Sequence, residues 1–248
     1  MKPFFLLKTF TVNCFLISAL NVCGQNVKTD SLNYAKGVSN AIEMYRKFID
    51  PSTVLYNGIE YNDYAYTLEK GSPYFMDTDF KTGSLFYDGV LFENIQLMYD
   101  LVKGQVVINE PFKIYKLSLI NERVSWFSVL DHKFVRLVAN DSDQSVITTG
   151  FYDLLYEADV SLYKKEKKKV NEEITFPEGI HRSIIRSESY FLRKDGTLYS
   201  FSNKNSLLSL LKDKRKEIQQ FSRKNKLDLR KDRENAFTRI VAYYNSIK

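Results

Sequence analysis

Between residues 53 and 202 the chain breaks into short runs rich in β-branched and aromatic residues, punctuated by Asn57-Gly58, Asp88-Gly89 and Asp195-Gly196. Asx-Gly pairs accept the positive φ that two-residue hairpin turns demand, so each pair marks a candidate chain reversal. No stretch between the runs carries the dozen residues of helical pattern that a parallel crossover requires. The strands are therefore expected to pair antiparallel. The clearest case is 84–87, then Asp88-Gly89, then 90–101, then Lys103-Gly104, then 105–108: a three-stranded meander. Further strands are predicted at 112–119, 122–129, 133–139, 150–156, 159–165, 188–193 and 197–202. So many short antiparallel strands favour a sheet that curls or closes partly into a barrel. Residues 140–144 read as a polar loop, and the charged stretch 164–173 as a solvated segment.

Helical periodicity flanks this region. Val38, Ile42, Tyr45 and Ile49 recur at helical spacing beside Ala41 and Phe48, with Ser39 or Asn40 as cap and Asp50-Pro51 as stop. After residue 206 come an apolar turn (Leu207, Leu208, Leu210, Leu211), a helix capped by Asp213 with Ile218 and Phe221 inward, and a last helix. That helix carries Ala236, Phe237, Ile240, Val241 and Tyr244 on one stripe. The expected fold class is α+β: a curved antiparallel β-sheet with an N-terminal helix and a C-terminal helical cap. It would form one domain over 25–248, with the sheet in 53–202 and a basic helical tail in 206–248.

The first 24 residues read as an export signal. Lys2 and Lys8 precede an apolar run from Thr9 to Val22, and Val22 and Gly24 stand at the −3 and −1 positions before Gln25. The run is too short, and too polar at Asn13 and Asn21, for a membrane span. Both cysteines, Cys14 and Cys23, fall inside this segment, so the mature chain would hold no thiol. The rival reading makes Cys23 a lipid-anchored first residue, against which stands Val22 where a small residue is wanted. Either way the expected location is the periplasm or the outer membrane.

The residues offer little for the common chemistries. His132 and His181 have no His-x-x-x-His partner, and they read as turn and loop residues. There is no Gly-x-Ser-x-Gly elbow, Walker loop or Gly-x-Gly-x-x-Gly, so neither acyl transfer nor a nucleotide cofactor has support. Asp77-Thr-Asp79 and Asp141-Ser-Asp143 alternate oxygens without completing a calcium loop. Asp77, Asp79, Asp88, Glu93 and Asp100 could supply the two carboxylates of a hydrolase, but Asp at such positions equally serves turns. No catalytic residue, metal ligand or cofactor is expected.

Charge is placed unevenly. Residues 203–248 hold thirteen Lys/Arg against five Asp/Glu, a net +8 in a chain of net +6. Lys212, Lys214, Arg215, Lys216, Arg223, Lys224, Lys226, Arg230, Lys231 and Arg233 crowd into 22 positions as a candidate binding surface. The plainer reading is a solvated helix face. On an exported chain the fitting partners are an envelope protein or an anionic membrane or glycan surface, with no nucleic acid expected. Two alternatives remain: a small-ligand or lipid carrier with its cavity in the curled sheet, and the carboxylate-only hydrolase. Tyr56, Tyr61, Tyr64, Tyr66, Tyr74, Tyr87 and Tyr99 could line a ligand groove or serve as buried rings.

The segments 55–61 (Leu-Tyr-Asn-Gly-Ile-Glu-Tyr), 71–75 (Gly-Ser-Pro-Tyr-Phe), 86–100 and 150–158 resemble a pattern in a family of uncharacterised secreted, cell-envelope proteins of Bacteroidota. Lys-Glu-Ile (216–218) and Ala-Tyr-Tyr-Asn (242–245) resemble the same family's closing helices. The resemblance implies an envelope location and a single sheet-plus-helices domain, and it carries over no catalytic or binding residue.

Overall fold

The computed structural model describes residues 34, 36–40, 54–76, 78–110, 114–139 and 147–248. The chain divides into two compact units, 1–49 and 50–248. In the first, residues 36–40 are helical. The leader, the expected helix beyond residue 40, Asp77 and the loop 140–144 lie outside the described residues.

The second unit is built on one eleven-stranded antiparallel sheet among its described residues. In chain order the strands are β1 (Ile59–Glu60), β2 (Lys81–Tyr87), β3 (Val90–Asp100), β4 (Gln105–Asn109), β5 (Lys116–Ser118), β6 (Val124–Val129), β7 (His132–Leu137), β8 (Gly150–Tyr156), β9 (Ser161–Thr175), β10 (Gly179–Lys194) and β11 (Thr197–Phe201). Their spatial order is β1-β5-β4-β3-β2-β6-β7-β8-β9-β10-β11. The chain jumps twice, from β1 to β2 and from β5 to β6, and the second jump shows that the sheet coils. Ser118 is level with Met98 of β3, whereas Val124 pairs Tyr87 and is level with Val90. In a flat sheet, eight residues along and four strands across is a gap of about 30 Å. The six peptide steps from Ser118 to Val124 reach about 20 Å at most. The sheet must therefore curl until β5 and β6 approach, though it remains open.

Alternation then fills the coil. Leu85 and Tyr87, Leu97 and Tyr99, Val106 and Ile108, Phe127 and Val129, Phe134 and Phe151 point inward and form one buried cluster. Its rings interlock: Tyr99 lies 5.1 Å from Phe127 and 5.2 Å from Phe134, centroid to centroid. Gly83 makes the tight bend possible, because a Cβ there would sit 2.0 Å from the Ser128 carbonyl on β6. Asp88-Gly89 (φ 51° and 77°) and Asp195-Gly196 (φ 51° and 78°) form the expected hairpin turns. Asn57-Gly58 does not: it precedes β1, and Gly58 is small because Ser118 O lies where its Cβ would be, at 2.5 Å.

The second correction concerns 164–173. The lysine-rich stretch is not a solvated loop but the middle of β9, which pairs with β10 from Arg193↔Ser161 to Gly179↔Thr175. Opposed charges across the ladder suit it to a strand, with Arg182 on Glu172 and Arg186 on Glu166. His181, expected in a loop, sits in β10, its Nδ1 2.8 Å from Glu69 Oε1.

The tail folds as α1 (Lys204–Leu210), a 3₁₀ turn (Lys212–Lys214), α2 (Arg215–Lys224) and α3 (Arg233–Ile247). Leu207, Leu208, Leu211, Ile218, Phe237, Ile240, Val241 and Tyr244 bury against Leu162, Tyr190 and Leu192 of the sheet. Asp213 does not cap α2; its carboxylate goes to Lys194 and the Tyr244 hydroxyl. Phe221 is half-buried and stacks on Tyr243 at 4.1 Å, leaving Ser222 beside Ile218 on the inner face.

Candidate functional site: the basic tail and the ion network beneath it

The ten basic residues singled out in the sequence all lie on the tail, and all but Lys214 are exposed. Along α2, Lys216, Arg223 and Lys224 occupy the half of the helix opposite Ile218 and Ser222, and Arg215 is exposed in the first turn. Lys226, Arg230 and Lys231 follow in the connection to α3, and Arg233 opens that helix. Among the described residues none of the ten lies within 4.0 Å of a carboxylate oxygen.

The tail's acids explain why. Asp213 is taken by Lys194 and Tyr244. Asp228 accepts from the backbone N–H groups of Arg230 and Lys231, which hold its pKa below the usual carboxylate value. Asp232 caps α3 through the Asn235 N–H. Glu234 turns inward to Lys164. Four of the five acids thus serve the fold, and Glu217 alone is left beside the cations. The outer surface of the tail is basic with almost no internal compensation. Like charges also crowd there: burial, then the nearby Arg223, lowers the pKa of Lys204.

Beneath the tail lies an arrangement that local sequence spacing did not reveal. His132 opens β7, Asp153 lies mid-β8, Lys164 on β9 and Glu234 in the first turn of α3. Alternation puts the first three on one sheet face, where Phe134 pairs Asp153 and Asp153 pairs Lys164. His132 Nδ1 is 2.7 Å from Asp153 Oδ2, and Lys164 Nζ is 3.3 Å from the same oxygen and 2.5 Å from Glu234 Oε2. Asp153 and Lys164 are each 2% exposed. The bond from Asp153 raises the His132 pKa against the opposing effect of burial. Lys164 also titrates above its usual value, since its two carboxylate partners outweigh burial.

His132, Asp153 and Glu234 offer donor atoms within 4.8 Å of one another, a spacing that could hold a metal ion. The Lys164 ammonium already bridges both carboxylates, so a cation would have to displace it. The group borders a cleft of about 500 Å³ with Asp131, Asp232, Asn235 and Thr238 on its walls. Chemically the His–Asp pair can hold or release a proton at the cleft. Among the described residues no serine or threonine hydroxyl is bonded to His132.

Of the carboxylates that could act around residues 77–100, Asp77 lies outside the described residues. Asp88 has φ 51° in its hairpin turn. Asp100, fully buried, accepts from Tyr61, Tyr64 and the N–H groups of Val102 and Lys103. Of the tyrosines, Tyr87 and Tyr99 are core rings and Tyr61, Tyr64 and Tyr74 gather around Asp100. The signal for the His132 network was scattered over four elements and 103 positions, which is why no motif showed it. No family model, curated protein or solved structure matches this chain.

Proposed function

We propose that this is a non-catalytic exported protein of the cell envelope that docks on an acidic surface through its basic helical tail. The observation that carries the reading is the division of labour in the tail: four of its five acids are taken up by the fold, and nine of the ten cations are exposed and unpaired among the described residues. Each Lys or Arg held near an anionic membrane contributes about 1 kcal/mol, so several acting together suffice for reversible association. Among the described residues no helix is long and apolar enough to cross a membrane, and a peripheral mode of attachment accords with that. The carrier alternative is less favoured, because the interior of the coil is filled by Tyr99, Phe127, Phe134 and Phe151. The hydrolase alternative is less favoured because Asp100 is saturated with donors.

The test is flotation of the purified chain with phosphatidylglycerol-containing and with purely zwitterionic vesicles across a salt series, beside crosslinking in the native envelope. Association with anionic vesicles that weakens as salt rises, or one acidic protein crosslinked through the tail, is the expected result. Reversing Arg223, Lys224 and Lys226 to Glu should abolish it. Association left unchanged by those reversals at every salt concentration would sink the reading.

A further inference from the structure

A second basic feature lies in the sheet and owes nothing to the tail. β8 and β9 pair only as far as Asp153↔Lys164, although β8 begins three residues earlier at Gly150. Beyond that point the strands splay, and the turn 101–104 approaches β9 through a bond from Lys168 N to Leu101 O. The opening is a cleft of about 430 Å³, floored by Tyr99 and Phe151 and continuous in its lining with a second of about 200 Å³ beside Ser187 and Ser189. Lys165 and Lys167 line both, Lys168 the larger. Among the described residues, no carboxylate lines either.

The cations here are held in an unusual way. Lys165 is partly buried, and its ammonium donates to the Thr148 carbonyl and to Thr148 Oγ1, both at 2.8 Å, and lies 4.3 Å from the Tyr152 ring centre. Gly150, at φ 148°, leaves it room: a Cβ there would stand 3.2 Å from Nζ. Lys168 donates to the carbonyls of Ser72 and Tyr74. Lys168 projects from the opposite face of β9 and feels Glu166 and Asp100, whereas the Lys165 ammonium is taken from water and given only neutral oxygens. Burial, aided by Lys167, lowers the pKa of Lys165 to about 8. Burial lowers that of Lys168 as well. Lys165, desolvated without a counter-charge, presents one side of an ion pair.

We infer that the cleft between β8 and β9 binds a small oxyanion, a phosphate or sulfate group, on the ammonium group of Lys165 with Lys167 at the rim. The anion supplies the missing counter-charge and takes the ammonium protons that neutral acceptors leave free. It also stabilises the protonated form of Lys165, so binding draws a proton from solution near pH 8 and weakens as pH rises further. The site differs from the tail in location and in residues.

Titration calorimetry of the full chain with inorganic phosphate and with sulfate, at fixed ionic strength, tests this. One saturable site with a dissociation constant of about 1 mM or tighter is expected. Lys165→Gln should weaken it about tenfold or more, while a tail variant with Arg223, Lys224 and Lys226 changed to Gln should bind as the parent does. Heats measured in buffers of different ionisation enthalpy should reveal proton uptake near pH 8, absent in Lys165→Gln. Far-ultraviolet circular dichroism checks that this variant is folded; if it is not, protection of Lys165 from reductive methylation by phosphate in the parent replaces it. No saturable heat, binding that survives Lys165→Gln, an unprotected Lys165, or binding lost only with the tail variant would each overturn the assignment.

Discussion

Lys164 on β9 and Glu234 on α3, 70 positions apart, meet at 2.5 Å at the joint between sheet and tail. The same ammonium lies 3.3 Å from Asp153, so one side chain ties the helical cap to two strands. A lysine whose side chain is only 3% exposed is tolerable because both partners are carboxylates.

Removing that ammonium should be costly. Lys164→Ala leaves Asp153 buried with a charge and only His132 beside it, and the expected loss is about 3 kcal/mol or more of unfolding free energy. Urea denaturation measures it. Glu234→Gln should cost less, because Glu234 is 37% exposed on its side chain and water can solvate what remains. Equal, near-zero effects of both changes would show that the network contributes nothing to stability.

The His132 pair makes stability depend on pH. The groups facing it are Asp153 from β8, Lys164 from β9 and Glu234 from α3. Its folded pKa lies above the unfolded value of about 6.5, so its contribution is fully present below that value. It is lost as pH rises through the raised folded pKa. The denaturation midpoint of the parent should therefore fall over this interval relative to that of His132→Gln. Parallel curves for the two proteins would show that the His132 charge is not linked to folding.

Much of the fold was legible because its signals are local. Asp88-Gly89 and Asp195-Gly196 need positive φ, and each turned the chain where expected. The stripe Ala236, Phe237, Ile240, Val241 and Tyr244 is buried as its spacing predicts. What misled was charge: the run 164–169 looks solvated in isolation, yet β10 pairs along all of it and Arg186 reaches diagonally to Glu166. Asn57-Gly58 misled for a related reason, since close approach to Ser118 also selects glycine. The basic surface was legible as a list of residues. That its neighbouring acids turn inward was not, because Lys164 and Lys194 are distant in sequence. Nor could the His132 group or the lysine cleft be found, each being assembled by strand register.

The outward cations of the tail should be dispensable for folding. Arg215, Lys216, Arg223 and Lys224 are exposed and make no ion pair among the described residues, so changing each to Gln should shift unfolding free energy by no more than about 0.5 kcal/mol. The combined variant should hold or gain slightly, since like charges no longer repel. A large loss would mean that these side chains support the fold and would weaken the case for a docking role.

Asp100 should behave in the opposite way. It closes β3 with no exposure, one oxygen taking the N–H groups of Val102 and Lys103 and the other the hydroxyls of Tyr61 and Tyr64. Every group aimed at it is a donor. In Asp100→Asn the amide oxygen can keep the two N–H groups while its NH2 turns the hydroxyls from donors into acceptors; the loss of charge-assisted bonds at a buried site should cost about 2 kcal/mol. Tyr61→Phe removes one donor and leaves the carboxylate three others, so the loss should be about 1 kcal/mol. Burial and the adjacent Asp100 raise the pKa of both phenols, Tyr61 and Tyr64. Their contribution is therefore complete below the ordinary phenol value of about 10 and fails as pH climbs above it. Absorbance at 295 nm should show these two rings ionising only as the protein unfolds in alkali, and their ionisation while the fold is intact would mean that the bonds to Asp100 are not the ones holding the turn.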